Sequence, residues 1–114
     1  LAFTEVADLI IGTETGLLNC AGFLDVPKII TLSHSSQEML TKHWKNTIAL
    51  EQPKGIGCNK HPCRQLHGGF DTNPWMDCHQ DKETGTALCQ VNIDGEMMWD
   101  AIIKQLSNAE RIAA

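Results

Sequence analysis

The sequence lacks the features of a membrane protein and of a nucleic-acid-binding protein. No apolar run approaches the ~20 residues that a membrane-spanning helix needs, and no leader peptide is visible. The 114 residues carry a formal net charge of −5 at pH 7, so there is no basic stripe to neutralise nucleic-acid phosphates. We therefore expect a cytoplasmic globular chain with no membrane span and no nucleic-acid partner.

The two commonest nucleotide-binding fingerprints are also missing. Neither G-x-G-x-x-G nor G-x-x-x-x-G-K-[ST] occurs, which argues against an ordinary dinucleotide-binding or P-loop protein. Internal repeats and low-complexity tracts are absent as well. With 42% hydrophobic residues the chain is globular in composition, and its length suits one small domain with a core.

The first half alternates between apolar runs and polar turns. Residues 9–11 and 28–32 are short, β-branched apolar runs typical of buried parallel strands, and residues 47–50 form a third candidate strand. A polar loop at residues 33–36 follows the second run, and residues 37–44 suit a short helical turn. This order predicts a β-α-β arrangement with a parallel sheet.

A short helix is expected between the first two strands. The turn at Glu14, Thr15 and Gly16 follows the first apolar run, and the Thr15 hydroxyl can cap a helix that begins there. Helical spacing predicts one buried face, made of Leu17, Cys20, Ala21 and Leu24. Because buried cysteine packs as a small hydrophobe, we expect Cys20 to be a core residue.

The chain changes character after Pro53. Residues 55–95 hold six of the nine glycines and four of the five cysteines, with little apolar periodicity, so this stretch needs some other source of order. Regular structure is expected again at Asp94, a suitable N-cap. The helix that follows has an apolar spacing that predicts a core face of Trp99, Ile102, Ile103 and Leu106.

The four clustered cysteines are Cys58, Cys63, Cys78 and Cys89, spaced C-x4-C-x14-C-x10-C. Four thiolates in one region can bind one zinc or iron ion in tetrahedral coordination. They could instead form two disulfides, or stay unpaired. Three nearby histidines are candidate substitute ligands or ordinary surface residues: His61, His67 and His79.

Residues 7–36, "ADLIIGTETGLLNCAGFLDVPKIITLSHSS", resemble the C-terminal part of family 9 glycosyltransferases, the ADP-heptose heptosyltransferase group. Those proteins carry a strand, then Gly-Pro-Asp-Thr-Gly-Leu-x-His, an Ala-rich helix, a Pro, and a strand ending in a polar loop. The final "VNIDGEMMWDAIIKQL" is similar to the family's closing helix. Thr13, Glu14 and Asn19 depart from the family's Pro, Asp and His, so the donor sugar stays open.

The resemblance implies an α/β fold, a partial Rossmann-like domain that is the second domain of a two-domain GT-B enzyme. It also implies that the diphosphate of a nucleotide sugar faces the start of the first helix, because Thr15 and Gly16 occupy the family's motif. The implied donor-binding residues are Glu14, Thr15, Gly16, Leu17 and Asn19. Glu14 suits a ribose-hydroxyl or amide contact. The acceptor, a saccharide or a protein, and the catalytic carboxylate would belong to a missing N-terminal domain, so this chain alone is expected to be inactive.

The cysteine segment is similar to a four-cysteine insertion in the autotransporter-modifying branch of that family, which is associated with iron. The expected organisation is therefore a Rossmann-like donor-binding portion at residues 1–54, a metal-stapled segment at 55–93 and a terminal helix at 94–114. The main rival hypothesis is a small metal-stapled module that binds a protein partner and has no enzymatic activity.

Overall fold

The computed structural model describes residues 2–64 and 78–113, without the side chains of residues 111–113. It has α/β architecture, with a three-stranded parallel sheet and a long C-terminal helix. The helices are α1 (Ala2–Val6), α2 (Gly16–Ala21), α3 (Leu88–Val91) and α4 (Gly95–Ala113), with a π-helical turn at Gln37–Thr41; the strands are β1 (Ile10–Thr13), β2 (Lys28–Thr31) and β3 (Thr47–Leu50). Within the described ranges, no helix combines the length and apolar character needed to cross a membrane.

The parallel sheet confirms the prediction made from the apolar runs. The strand order is β1-β2-β3, and Lys28 at the start of β2 pairs with Ile10 on one side and Thr47 on the other. Ile29 and Ile30 in β2 are fully buried, as expected for the central strand of a parallel sheet. All three strands therefore end along one edge, the carboxyl edge, which residues 14, 32 and 51 follow directly.

Helix α2 begins where it was predicted, but it buries a different face. Thr15 is the N-cap residue, and its side chain makes no capping hydrogen bond. Leu18 and Ala21 are the residues that enter the core, whereas Leu17 is 49% exposed and Cys20 is exposed. The predictions of a hydroxyl cap and of a core role for Leu17 and Cys20 were therefore wrong.

A close approach at Gly12 explains which leucine is buried. A Cβ at this glycine would stand 2.9 Å from Cδ1 of Leu18, so the missing side chain leaves room for Leu18 against β1. Leu18 joins the core cluster with Ile10 and Ile30, and Leu24 packs against the cluster from outside. Helical spacing favoured Leu17 and could not reveal that the sheet has room for Leu18 instead.

Helix α4 starts as predicted, and its core face differs from the prediction. The Met97 N–H donates to Oδ1 of Asp94 at 2.9 Å, so Asp94 is a true N-cap. The buried residues on α4 are Ala101 and Gln105. The residues predicted to face the core include three that are largely exposed, at 61%, 47% and 42%: Trp99, Ile103 and Leu106.

Gln105 is buried, and its amide donates to two backbone carbonyls. Its Nε2 donates to the Lys28 carbonyl at 2.7 Å and to the Asn46 carbonyl at 2.9 Å, at the end of the sheet opposite the carboxyl edge. The neighbouring Lys28 side chain is also buried, and its Nζ donates to the Leu24 carbonyl at 2.6 Å. Burial lowers the pKa of Lys28, and the charge of Asp25 partly opposes that change. Polar groups thus fasten α4 to the sheet.

Replacing Gln105 with leucine is expected to lower the free energy of unfolding by about 2 kcal/mol, since two hydrogen bonds between α4 and the sheet are lost. Urea unfolding followed by circular dichroism measures the change. Lys104→Leu, at the exposed neighbouring position, is the control and should stay within about 0.5 kcal/mol of wild type. Equal stabilities for the Gln105 variant and wild type would show that the amide does not fasten α4.

Candidate functional site

The carboxyl edge of the sheet carries a group of polar side chains. Glu14 follows β1, Ser33 and His34 lie just beyond β2, and Glu51 follows β3. Carboxyl ends of parallel strands meet at one edge of a sheet, and open α/β sheets bind their ligands there. A ligand site is therefore expected at this edge.

Glu14 joins the loops that follow β1 and β2. Its side chain is only 5% exposed; Oε1 accepts a short hydrogen bond from the Ser33 N–H, and Oε2 lies 2.7 Å from Nδ1 of His34. Oε2 accepts no hydrogen bond of regular geometry from the described residues. The amide contact expected for Glu14 is made within the chain, to Ser33.

The other predicted donor-binding residues lie together at the start of α2. Thr15, Gly16, Leu17 and Asn19 are all exposed. A Cβ built on Gly16 would have no described atom within 4 Å, apart from its chain neighbours and helix backbone, so the space over this turn is open. The first N–H groups of a helix have no intrahelical acceptor and can donate to a ligand. The arrangement can therefore accommodate an anionic group against bare backbone.

A cavity of about 450 Å³ lies at the end of β3. Its walls come from Ser36, from residues 51–59, and from His61 and Pro62. Glu51 supplies a carboxylate and Lys54 an ammonium group to this cavity, and Cys58 also lines it. The cavity thus connects the carboxyl edge with the segment that carries the cysteines.

His61 is buried beside this cavity, which the sequence did not reveal. Its side chain is 8% exposed; Nδ1 lies 2.6 Å from the Ser33 carbonyl oxygen, and Nε2 lies 3.2 Å from Oε2 of Glu51. The two oxygens come from residues 28 and 10 positions away. Only the spatial meeting of these loops distinguishes His61 from a surface histidine such as His79, which is exposed.

Backbone contacts bring two other parts of the cysteine segment, at Gly57 and His79, against Leu88. A Cβ on Gly57 would stand 3.0 Å from the Leu88 carbonyl oxygen, so residue 57 lies directly against residue 88. The Leu88 N–H donates to the His79 carbonyl at 2.9 Å. Each of these residues is next to a cysteine in sequence: Cys58, Cys78 and Cys89. The fold therefore brings together the three backbone segments that carry these cysteines.

Gln52 holds the first cysteine in place. Its Nε2 donates to the Cys58 carbonyl at 2.7 Å, and its Oε1 accepts from the Cys58 N–H at 2.8 Å. Gly57 adopts a φ of +95°, and a Cβ there would also stand 2.5 Å from Oε1 of Gln52. Glycine at this position thus allows the tight loop and the paired hydrogen bonds at the same time.

No disulfide joins any of the five cysteines, and the four clustered ones are partly buried. Burial raises the pKa of the Cys89 thiol, and the charges of Cys58, Cys78 and Cys63 raise it further. The other three clustered cysteines therefore lie within electrostatic reach of Cys89. In the described part of the chain no group of three or more His, Cys, Asp or Glu side chains is close enough together to hold a metal ion. The candidate ligand His67 lies outside the described residues.

Comparisons with known proteins do not identify a function for this chain. No protein-family model, curated protein or solved structure matches the chain. The resemblance to family 9 glycosyltransferases stays a prediction from the residues quoted for it.

Proposed function

We propose that this chain is the donor-binding part of a glycosyltransferase that takes a sugar from a nucleotide-diphosphate sugar. One observation supports the proposal most strongly: the exposed turn at Thr15 and Gly16 opens a helix at the carboxyl edge of a parallel sheet. The chain would then be a Rossmann-like half of a GT-B enzyme, as the resemblance implies. A second domain would supply the acceptor site and the catalytic carboxylate.

The chemistry of glycosyl transfer suits such a turn. The donor diphosphate leaves with growing negative charge, which the free N–H groups at a helix start stabilise. Gly16 has no side chain to keep the phosphates away. The Thr15 hydroxyl makes no capping hydrogen bond, so it can donate to a phosphate oxygen. Leu17 and Asn19 are exposed on the same helix and would contact the rest of the donor.

Glu14 would support the turn at Thr15 and Gly16 without contacting the phosphates. A carboxylate repels a diphosphate, and the Glu14 side chain is buried against Ser33 and His34. It would therefore fix the two loops relative to each other. Its part in donor binding is one of position and hydrogen bonding, not of phosphate contact.

We further propose that Cys58, Cys63, Cys78 and Cys89 hold one structural zinc or iron ion. The convergence of Gly57, Leu88 and His79 supports this, because it places neighbouring cysteines in one region without disulfides. Thiolates are the ligands that zinc and iron–sulfur sites prefer. A bound cation would also neutralise thiolates that otherwise repel one another, and would draw them to coordination distances.

A binding module without enzymatic activity is the second candidate. The exposed apolar side chains of Trp99, Ile103 and Leu106 on α4 favour it, since such a stripe suits contact with another protein surface. A module of this kind is not expected to bind a nucleotide.

Calorimetric titration of the chain with ADP distinguishes the two candidates. We expect ADP to bind measurably, AMP at least about tenfold more weakly because it lacks the second phosphate, and no sugar transfer by the chain alone. Inorganic phosphate is the control for non-specific anion binding. Equal affinities for ADP and AMP, or no binding of ADP, would contradict the donor-site proposal and favour the binding module.

A further inference from the structure

His61 lies between Cys58 and Cys63 in sequence, and its ring contacts two residues at the carboxyl edge of the sheet. Nδ1 is 2.6 Å from the Ser33 carbonyl oxygen, and Nε2 is 3.2 Å from Oε2 of Glu51. Ser33 belongs to the loop after β2, and Glu51 follows β3 directly. One ring thus connects the cysteine loop with the ends of two neighbouring strands.

These contacts restrict what His61 can do. A carbonyl oxygen can only accept a hydrogen bond, so Nδ1 carries a hydrogen and cannot ligate a metal at the same time. Nε2 faces a carboxylate oxygen of Glu51 at 3.2 Å, so this nitrogen is also directed at the sheet edge. Both ring nitrogens are therefore engaged by oxygen atoms, and the side chain is 8% exposed. His61 is unsuited to the role of substitute metal ligand.

A second contact ties the same loop to the same place. The Arg64 N–H donates to the His34 carbonyl at 2.9 Å, one residue from the carbonyl that His61 contacts. Residues 33 and 34 are in turn held by Glu14, through the Ser33 N–H and the His34 ring. Glu14 immediately precedes Thr15, the N-cap of α2. A continuous series of contacts therefore runs from the cysteine loop to the candidate donor site.

We propose that His61 is a positioning residue that joins the cysteine loop to the carboxyl edge, so that order in the loop also orders the donor site. This inference rests on the proposed function for its effect on ligand binding. His61 touches neither the metal nor the donor; it acts by holding Ser33 and Glu51. The loop between Cys58 and Cys63 then has two roles, as a bearer of two thiols and as a support for the site.

Three variants test the inference. His61→Phe keeps a ring of similar size and removes both hydrogen bonds. His61→Asn retains an N–H donor near the position of Nδ1 and should fold where the phenylalanine variant does not. His79→Phe is the matched control, because His79 also lies beside a cysteine but is exposed and outside these contacts. Each variant is measured for metal content, for amide hydrogen exchange at Ser33 and Arg64, and for affinity for ADP.

We expect His61→Phe to keep the wild-type metal content, to exchange the Ser33 and Arg64 amides at least about tenfold faster, and to bind ADP at least about tenfold more weakly. His61→Asn should recover part of the protection at Ser33, and His79→Phe should match wild type. A loss of metal in both His61 variants would overturn the inference and identify His61 as a ligand. Unchanged exchange in both would overturn it too.

The exchange measurement separates this inference from the proposed function. If wild type binds no ADP, the donor-site proposal fails, while the amides of Ser33 and Arg64 still report whether His61 holds the loops. A different result is possible if wild type binds ADP. If His61→Phe then exchanges these amides faster but keeps its affinity for ADP, His61 holds the loops without affecting the donor site. That result contradicts the inference as stated.

Discussion

Replacing Gly16 with valine is expected to weaken ADP binding at least about a hundredfold, which corresponds to about 2.7 kcal/mol of binding free energy. The new side chain would occupy the open space over the first turn of α2, where the phosphates would otherwise meet the backbone N–H groups. The free energy of unfolding should change by less than about 1 kcal/mol, because no described atom lies where the Cβ would stand and valine is no worse than glycine in a helix.

Gly95→Val is the matched control for this variant. Gly95 is also the first residue of a helix, and its Cβ would likewise meet no described atom within 4 Å. Calorimetry should find ADP affinity unchanged for Gly95→Val and strongly reduced for Gly16→Val. Wild-type affinity in a stably folded Gly16→Val variant would show that the nucleotide binds elsewhere.

The second large effect is expected at the cysteines. Cys78→Ser should reduce the metal content from about one zinc or iron ion per chain to well below half, since a neutral hydroxyl is a poor substitute for a thiolate. Binding free energy of such an ion is also folding free energy for the segment that it orders, about 10–16 kcal/mol in zinc-finger peptides. The segment around Leu88 should therefore lose its hydrogen-exchange protection, while the fully buried strand β2 keeps it.

Cys20→Ser is the control, and the structure changes what is expected of it. Because Cys20 is exposed on α2, its replacement should leave metal content unchanged and alter stability by no more than about 0.5 kcal/mol. Elemental analysis and exchange data on both variants give the comparison. Metal-free wild-type protein with all four clustered thiols in disulfides would contradict the metal proposal.

The sheet was predictable because its strands are apolar by themselves. The β-branched run of β2 and the compact apolar run of β3 mark strands whatever surrounds them, and parallel order follows from the helical segment between β1 and β2. The start of α4 was predictable for a similar reason, since a cap depends on Asp94 and the next three residues.

Helix faces were not predictable because contact partners decide them. On α4 the apolar spacing favoured the stripe with Trp99, yet Gln105 is buried, and its amide donates to two carbonyls at the end of the sheet. On α2 the space beside Gly12 accepts Leu18 and leaves Leu17 exposed. The apolar stripe that stays exposed on α4 is the observation that favours the alternative proposal of a binding module.

Part of the candidate site was predictable from the sequence, and part was not. The position of Thr15 and Gly16 at the start of α2 was predictable from local order, because a strand, a polar turn and a helix follow one another in sequence, whereas their role in donor binding stays a prediction from the resemblance. The contacts of Glu14 and His61 join residues that are 10 to 28 positions apart, so no local pattern could reveal them. The convergence of the cysteine segment on Leu88 likewise depends on hydrogen bonds between loops.

Amide chemical shifts recorded while ADP is added to the ¹⁵N-labelled, metal-loaded chain test the central claim most directly. The donor-site account predicts that the largest shifts occur at Thr15, Gly16 and Leu17, with smaller ones at Ser33, and that they saturate together with the calorimetric binding curve. Shifts confined to α4 around Trp99, or a spectrum that ADP leaves unchanged, would contradict it.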